Sequence, residues 1–259
     1  MFDFLKKKKH DSEPFANRVF DGKVNFAMTE AYNFLRASLK FAIPNKKNGK
    51  VIGITSPCPH DGKSYTSTNL AYSLAKNGHS VLLVDADMRK SALASLLNLP
   101  VSPGLSNILS GETETDEATH FAVVNQNLCV IISGDFPPNP AELIESDRMK
   151  EMLEKAAEKY EYVIIDLPPV MSVADPLLVS KYIDGMIVVL RHGTSRKKNV
   201  QNAVRQLKFA GVHIIGFVYN GYRHSSFYKS SEYKNYSNYD EIYNNYGNNE
   251  PAKSADSKK

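Results

Sequence analysis

Gly62, Lys63 and Ser64 close the run ITSPCPHDGKS, and that order of residue types suits one chemistry, the holding of phosphate. A glycine lets backbone N–H groups approach the oxygens, a lysine reaches the terminal phosphates, and a hydroxyl can ligate a divalent ion. The run follows an apolar stretch and opens an amphipathic one, the strand-to-helix setting that a P-loop requires. Its first glycine is missing, since that position is Pro57. Asp61 and Tyr65, on either side of the Gly-Lys-Ser core, are counted with it as nucleotide-binding residues.

Three carboxylates strengthen the reading. Asp85 and Asp87 stand at the end of VLLVDADMR, and Asp166 at the end of YVIID. A parallel strand delivers the side chains at its C-terminal end to a ligand crevice. A lone aspartate there is commonly a cap for the next helix, but three of them with a P-loop make an Mg²⁺-nucleotide site. The hard oxygens that such an ion needs can come from Ser64 and, directly or through water, from these carboxylates. ATP and Mg²⁺ are therefore the expected cofactors.

The elements that must position these residues are legible from residue 50 onward. Val51–Thr55, Val81–Asp85, Cys129–Ser133, Tyr162–Asp166, Met186–Leu190 and Ile214–Tyr219 are short, mostly continuous apolar runs, as expected of parallel strands buried on both faces. Amphipathic stretches lie between them, clearest at Ser64–Asn77, Met149–Tyr160 and Lys197–Ala210. The alternation predicts an α/β fold, a parallel sheet flanked by helices. Upstream, Thr29–Phe41 reads as a helix with Thr29 as N-cap and Ala31, Phe34, Leu35 and Leu39 on its apolar face.

Beyond Tyr222 the character changes. Residues 223–259 are polar and almost free of aliphatic side chains, a composition that predicts disorder. Into it are crowded Tyr228, Tyr233, Tyr236, Tyr239, Tyr243 and Tyr246. The expected organisation is a basic extension over 1–28, a nucleotide-binding domain over 29–222, and a disordered tyrosine-rich tail over 223–259.

Composition narrows the class of function. The formal net charge is +4, with 32 basic and 28 acidic residues, and no basic stripe or helix-turn-helix is apparent, which excludes nucleic acid as a partner. Cys58 and Cys129 have no metal-type spacing and form no disulfide framework, so a reducing compartment is expected. No run approaches a membrane span, and MFDFLKKKKH is too short in its apolar part for a signal peptide. The expectation is a cytoplasmic protein that meets the inner face of the cell membrane only through a partner.

The ordered motifs resemble those of the bacterial tyrosine kinases of capsule and exopolysaccharide synthesis. SPCPHDGKS looks like their Walker A, VLLVDADMR like their Walker A′ and VIIDLPP like their Walker B; SGDFPPNPAEL is similar to a further family segment. The resemblance runs from about Thr29 to Asn220. It implies a P-loop NTPase fold of the ParA/MinD-like type and an ATP-dependent protein-tyrosine kinase acting on its own tyrosine cluster. By resemblance, Asp87 is the base for the tyrosine hydroxyl, Asp85 and Asp166 organise the metal shell, Lys63 holds phosphates, and Arg89 steadies the phosphates or the motif itself. Asn220 could contact the adenine, or simply form an Asn-Gly turn. Tyr228, Tyr233, Tyr236, Tyr239, Tyr243 and Tyr246 become the expected phosphorylation sites.

The chain departs from the family pattern at His60, where a glycine is common, and at Ser91, where a proline is. The family's ExxRxxR assembly helix appears as Glu30, Asn33 and Arg36, with the first arginine replaced. The family also implies a homo-oligomer such as a ring, a transmembrane modulator protein and a tyrosine phosphatase. Six phosphates would add about −9 to −12 of charge, enough to loosen such an assembly by repulsion. Two rival readings are a ParA/MinD-like ATPase switch, against which Cys58 replaces the signature lysine, and a non-catalytic nucleotide-binding scaffold.

Overall fold

Seven strands form one sheet, in the order β3-β4-β2-β5-β1-β6-β7, within a computed structural model that describes residues 26–44, 46–122 and 125–221. In chain order the elements are α1 (Phe26–Ala42), β1 (Lys50–Thr55), α2 (Lys63–Lys76), β2 (Val81–Asp85), α3 (Leu93–Leu97), α4 (Leu105–Ser110), β3 (Thr119–Phe121) and β4 (Leu128–Ile131). They continue with α5 (Pro140–Glu145), α6 (Asp147–Lys159), β5 (Tyr162–Asp166), α7 (Asp175–Leu178), a 3-10 turn over Val179–Tyr182, β6 (Gly185–Arg191), α8 (Lys197–Phe209) and β7 (Ile214–Asn220). The expected tail tyrosines and the basic start of the chain lie outside the described residues.

All six expected strands form and pair in parallel. The seventh, β3, runs antiparallel to β4 at the sheet's edge and was not foreseen. Its three residues are too few to carry a periodicity, and pairing across the hairpin alone defines it.

Alternation along the strands divides the interior into two layers. Val81, Leu83, Tyr162 and Ile164 face α1, α2 and α3, and Leu82, Val84, Val163 and Ile165 face α4, α5, α6 and α8. Successive side chains of a strand point to opposite faces, so this parity also decides where the strand ends aim. Asp85 follows Leu83 by two, and Asp166 follows Ile164 by two. Both carboxylates therefore emerge on the face that α2 covers, and Asp85 is in register with Asp166 across the β2–β5 pair.

Two expectations for α1 need correction. The helix begins at Phe26, so Thr29 lies inside it and is no cap. Its inward face is Tyr32, Leu35 and Leu39, continued by Ile43 just past its end, whereas Ala31 and Phe34 are exposed. Spacings of three and four fit several stripes on a helix this rich in apolar residues, and contact with α2 selects one of them. Among its half-buried residues, Asn33 donates to Glu30 at 2.8 Å and Arg36 donates to Asn33 at 3.5 Å. Asn33 thus joins the two charged residues of the altered assembly motif along one helix.

Among the described residues no helix is long and apolar enough to cross a membrane.

Candidate active site

The loop between β1 and α2 is shaped by two left-handed residues, His60 (φ 66°) and Gly62 (φ 97°). A non-glycine residue in that region costs on the order of 1–2 kcal/mol. His60 is held there by Arg191, whose Nη1 donates to its carbonyl at 2.9 Å. At Gly62 no side chain fits, because a Cβ would collide with the Asn220 amide. Gly62 leaves α2 without a side-chain cap, so the opening N–H groups of the helix remain available to an anion.

Asp61 has a different role from the one its neighbours suggest. It is fully buried; its carboxylate accepts from the Cys58 N–H at 3.0 Å and from the Ser195 hydroxyl at 2.9 Å. Asn220 donates from Nδ2 to the Asp61 carbonyl at 3.2 Å. Asn220 thus holds the P-loop in place. Strands β6 and β7 brace the loop through these bonds, and neither Ser195 nor Arg191 carried any motif that could have revealed it.

Lys63 lies beneath the loop, with Nζ 2.8 Å from Asp87 and 3.9 Å from Asp166. Burial works against its charge, but Asp166 and Asp87 outweigh that and hold its pKa above the usual lysine value. Asp166 is fully buried, and neither of its carboxylate oxygens has a hydrogen-bond partner. Burial pushes its carboxyl up to about 7, with Lys63 opposing the rise and Asp85 adding to it. Asp85, also fully buried, is raised to about 6 by burial, against the hydrogen bond from Ser91 and the charge of Lys63.

Ser91, which replaces the family's proline, donates to Asp85 Oδ2 at 2.7 Å. Asp87 is anchored through the Lys90 N–H, which donates to its Oδ1 at 3.0 Å. Arg89 borders the same cavity as the P-loop, and its guanidinium grips Asp175 with Nε at 3.2 Å and Nη2 at 3.3 Å. Of the two roles open to Arg89, the geometry is that of a brace for its own motif. Asp175, fully buried in the first turn of α7, was not anticipated; an Asp-Pro at a helix start reads as a cap.

A cavity of about 660 Å³ includes Gly62, Lys63, Ser64, Tyr65, Asp87 and Ser91 among its lining. The apolar side chains of Pro168, Pro169 and Val173 also line it. An orphaned, fully buried carboxylate beside a helix N-terminus fits an Mg²⁺-phosphate ligand, since the ion would repay the cost of keeping Asp166 ionised. Among the described residues no three His, Cys, Asp or Glu side chains form a self-contained metal cage. An ion held here by Ser64, Asp85 and Asp166 would need phosphate and water oxygens to complete its shell.

The chain resembles known proteins over this whole region. A family model described as an AAA domain matches residues 49–207. The tyrosine-protein kinase YwqD of Bacillus subtilis is 36% identical over 208 residues, which cover 80% of this chain and 86% of that one. The chain belongs to the bacterial tyrosine kinase family. The kinase domain of the Escherichia coli tyrosine kinase ETK superposes with a TM-score of 0.75 at 32% identity, covering 89% of this chain and 92% of that domain. The tyrosine-protein kinase ptk of Acinetobacter johnsonii is 36% identical over 197 residues, and there the chain spans only 27% of the relative's length. The cell-division protein MinD from Pyrococcus horikoshii, solved with Mg-ADP, shares the fold at 24% identity and a TM-score of 0.58. The family has a P-loop fold of the MinD type, and these relatives within it are tyrosine-protein kinases.

The raised carboxyls give the kinase domain a pH signature. Their folded-state values of about 7 and about 6 lie above the ordinary 3.8, so the fold holds protons that the unfolded chain has already released. The stability that these two groups contribute to the nucleotide-free protein is therefore fully present below about pH 4 and is lost as pH rises through about 7. A divalent cation competes with the same protons. The rise in Tm caused by Mg-ADP should accordingly be larger at pH 8 than at pH 5.5, and thermal melts at the two values with equal ligand check it. An equal rise at both would show that Asp85 and Asp166 do not face the ion.

Proposed function

We propose that this chain transfers the γ-phosphoryl group of ATP to tyrosine hydroxyls, and that its principal acceptors are the tyrosines of its own 223–259 tail. One observation carries the proposal. A buried lysine at the base of a P-loop is shared between a candidate base, Asp87, and an orphaned carboxylate, Asp166, in a member of a tyrosine kinase family.

Without nucleotide, Lys63 neutralises Asp87. Phosphate oxygens arriving at the α2 N-terminus offer Lys63 stronger partners and release Asp87 to accept a proton. The bond from the γ-phosphorus to the bridging oxygen of ADP breaks, a bond to the tyrosine oxygen forms, and the phenolic proton passes to Asp87 Oδ2. A phenol with a pKa of about 10 needs only alignment and a nearby acceptor. Mg²⁺, held by Ser64, Asp85 and Asp166, would supply neutralisation of the phosphate charge. Asp61, Asn220 and Arg191 keep the loop in its anion-binding shape, and Arg89 with Asp175 holds the Asp87 loop against α7.

The tail reaches a neighbouring subunit's cavity in the reading favoured by the family's assembly helix, and accumulating phosphate charge then drives subunits apart. A membrane-spanning modulator would recruit and activate the domain, a tyrosine phosphatase would reverse it, and capsular or exopolysaccharide output would be the process controlled. Incubation of the full chain with labelled ATP and Mg²⁺, with and without a cytoplasmic modulator segment, tests the core of this. Label on tail tyrosines supports it; ATP hydrolysis without tyrosine label under both conditions would favour an ATPase switch instead.

A further inference from the structure

We propose that Lys90 selects among acceptor tyrosines by the charge of their immediate neighbours, preferring those flanked by acidic residues; the inference rests on the kinase reading above. Lys90 lines the same cavity as Asp87 and is exposed. Its backbone position is tied to the candidate base twice, through the N–H to Asp87 Oδ1 at 3.0 Å and to the Asp87 carbonyl at 3.2 Å. The other cations at the mouth are engaged: Arg89 with Asp175 and Arg191 with the His60 carbonyl. Lys63 is buried against Asp87. Among the described residues Lys90 has no ion-pair partner. The acids of the site, Asp85, Asp87 and Asp166, are all buried. The surface that a peptide meets on approach is therefore cationic, and Lys90 is its uncommitted charge.

Reach sets the range of the effect. An extended peptide advances about 3.3 Å per residue, and a lysine ammonium extends about two residue lengths from its backbone. A tyrosine seated at Asp87 brings only its neighbours within about two positions under Lys90. On that criterion the tail tyrosines fall into three groups. Tyr239 is followed by Asp240 and Glu241, and Tyr243 is preceded by Glu241. Tyr233 has Glu232 and Lys234 on its two sides, which cancel, and Tyr246 has only asparagine and glycine. Tyr228 is followed by Lys229, and Tyr236 is preceded by Lys234. Initial phosphorylation should be fastest at Tyr239 and Tyr243, intermediate at Tyr233 and Tyr246, and slowest at Tyr228 and Tyr236. Ion pairs at a wet rim imply about a fivefold spread between the first and last groups.

The experiment is a site-resolved mass-spectrometric time course on the full chain with ATP and Mg²⁺, read before phosphates accumulate on neighbouring tyrosines. The order above, compressed by raising salt from about 0.05 M to about 0.5 M, is the expected result. Lys90→Arg should keep the order, Lys90→Ala should flatten it, and Lys90→Glu should invert it. With Lys90 intact, the double change Asp240→Asn and Glu241→Gln should slow Tyr239 and Tyr243 to the rate of Tyr246. A Lys90→Ala protein that loses rate equally at every tyrosine, with the order unchanged, would place Lys90 on the nucleotide and overturn the proposal. No label on any tail tyrosine would overturn the kinase reading and this inference together, whereas label without the stated order overturns this inference alone.

Discussion

Lys63→Met is expected to reduce tyrosine phosphorylation by a factor on the order of 10³ or more, because it removes the only buried cation facing the phosphates among the described residues. The same change should alter stability in a pH-dependent way. Asp87 and Asp166 lose their shared partner, and carboxylates left buried without a cation take up protons. The folded-state value of the Asp166 carboxyl should rise further, which moves the loss of stability to higher pH and deepens it. Thermal melts without nucleotide at pH 5.5 and pH 8 would show the mutant close to the parent at the lower value and well below it at the higher. A mutant that melts like the parent at both, yet cannot transfer phosphate, would mean that Lys63 is not the counter-charge of this cluster.

Asp166→Asn separates activity from stability more sharply. Loss of the carboxylate removes a hard ligand from the expected Mg²⁺ shell, and phosphorylation should fall by at least about a hundredfold. The nucleotide-free protein should nevertheless become more stable at pH 8. Burial has pushed this carboxyl up to about 7, so above that pH the parent must keep in its interior an ionised group whose ion-pair partner, Lys63, stands 3.9 Å away. An amide of the same shape carries no such cost. Below pH 4 the native carboxyl is protonated in both folded and unfolded states, and the advantage should disappear. An Asp166→Asn protein that is less stable than the parent at pH 8 would show that the Lys63–Asp166 attraction outweighs the burial cost, reversing the electrostatic balance described above.

The two results would bear on how a site of this kind is poised. Three buried carboxylates and one buried lysine lie together beside the P-loop, and the lysine is the cluster's one positive charge among the described residues. Such a cluster is costly for the empty fold and favourable once ligand arrives. The strain is borne by a rigid frame: parallel strands on either side of β5, a P-loop tied to β6 and β7, and an Asp87 loop tied to α7. Precise placement of this sort suits phosphoryl transfer, where positioning and charge neutralisation supply most of the rate.

How much of this was legible beforehand follows from the range of the interactions involved. The parallel strands were readable because burial on both faces demands continuous apolar runs, and that demand is local. Lys63 and Ser64 could be singled out from the Gly-Lys-Ser core, and Asp85, Asp87 and Asp166 from the strand-end rule, with no knowledge of their partners. Their convergence on the α2 face also follows from sequence, once two-residue parity is applied along β2 and β5.

The sequence could not decide which partner each side chain takes across the fold. Arg89 had two roles open and tertiary contact with Asp175, 86 residues away, settles its orientation. Asn220 could have faced a base or a turn; packing of β7 beside the loop sends its amide to the Asp61 carbonyl, 159 residues back in the chain. The inward stripe of α1 was set by its contact with α2, and β3 exists only because β4 lies beside it. Local chemistry thus names the residues of the site, and long-range packing assigns their tasks. The physical reason is that a motif records only what a side chain can do, whereas hydrogen-bond geometry and burial, which belong to the folded state alone, determine which of its possible partners it meets.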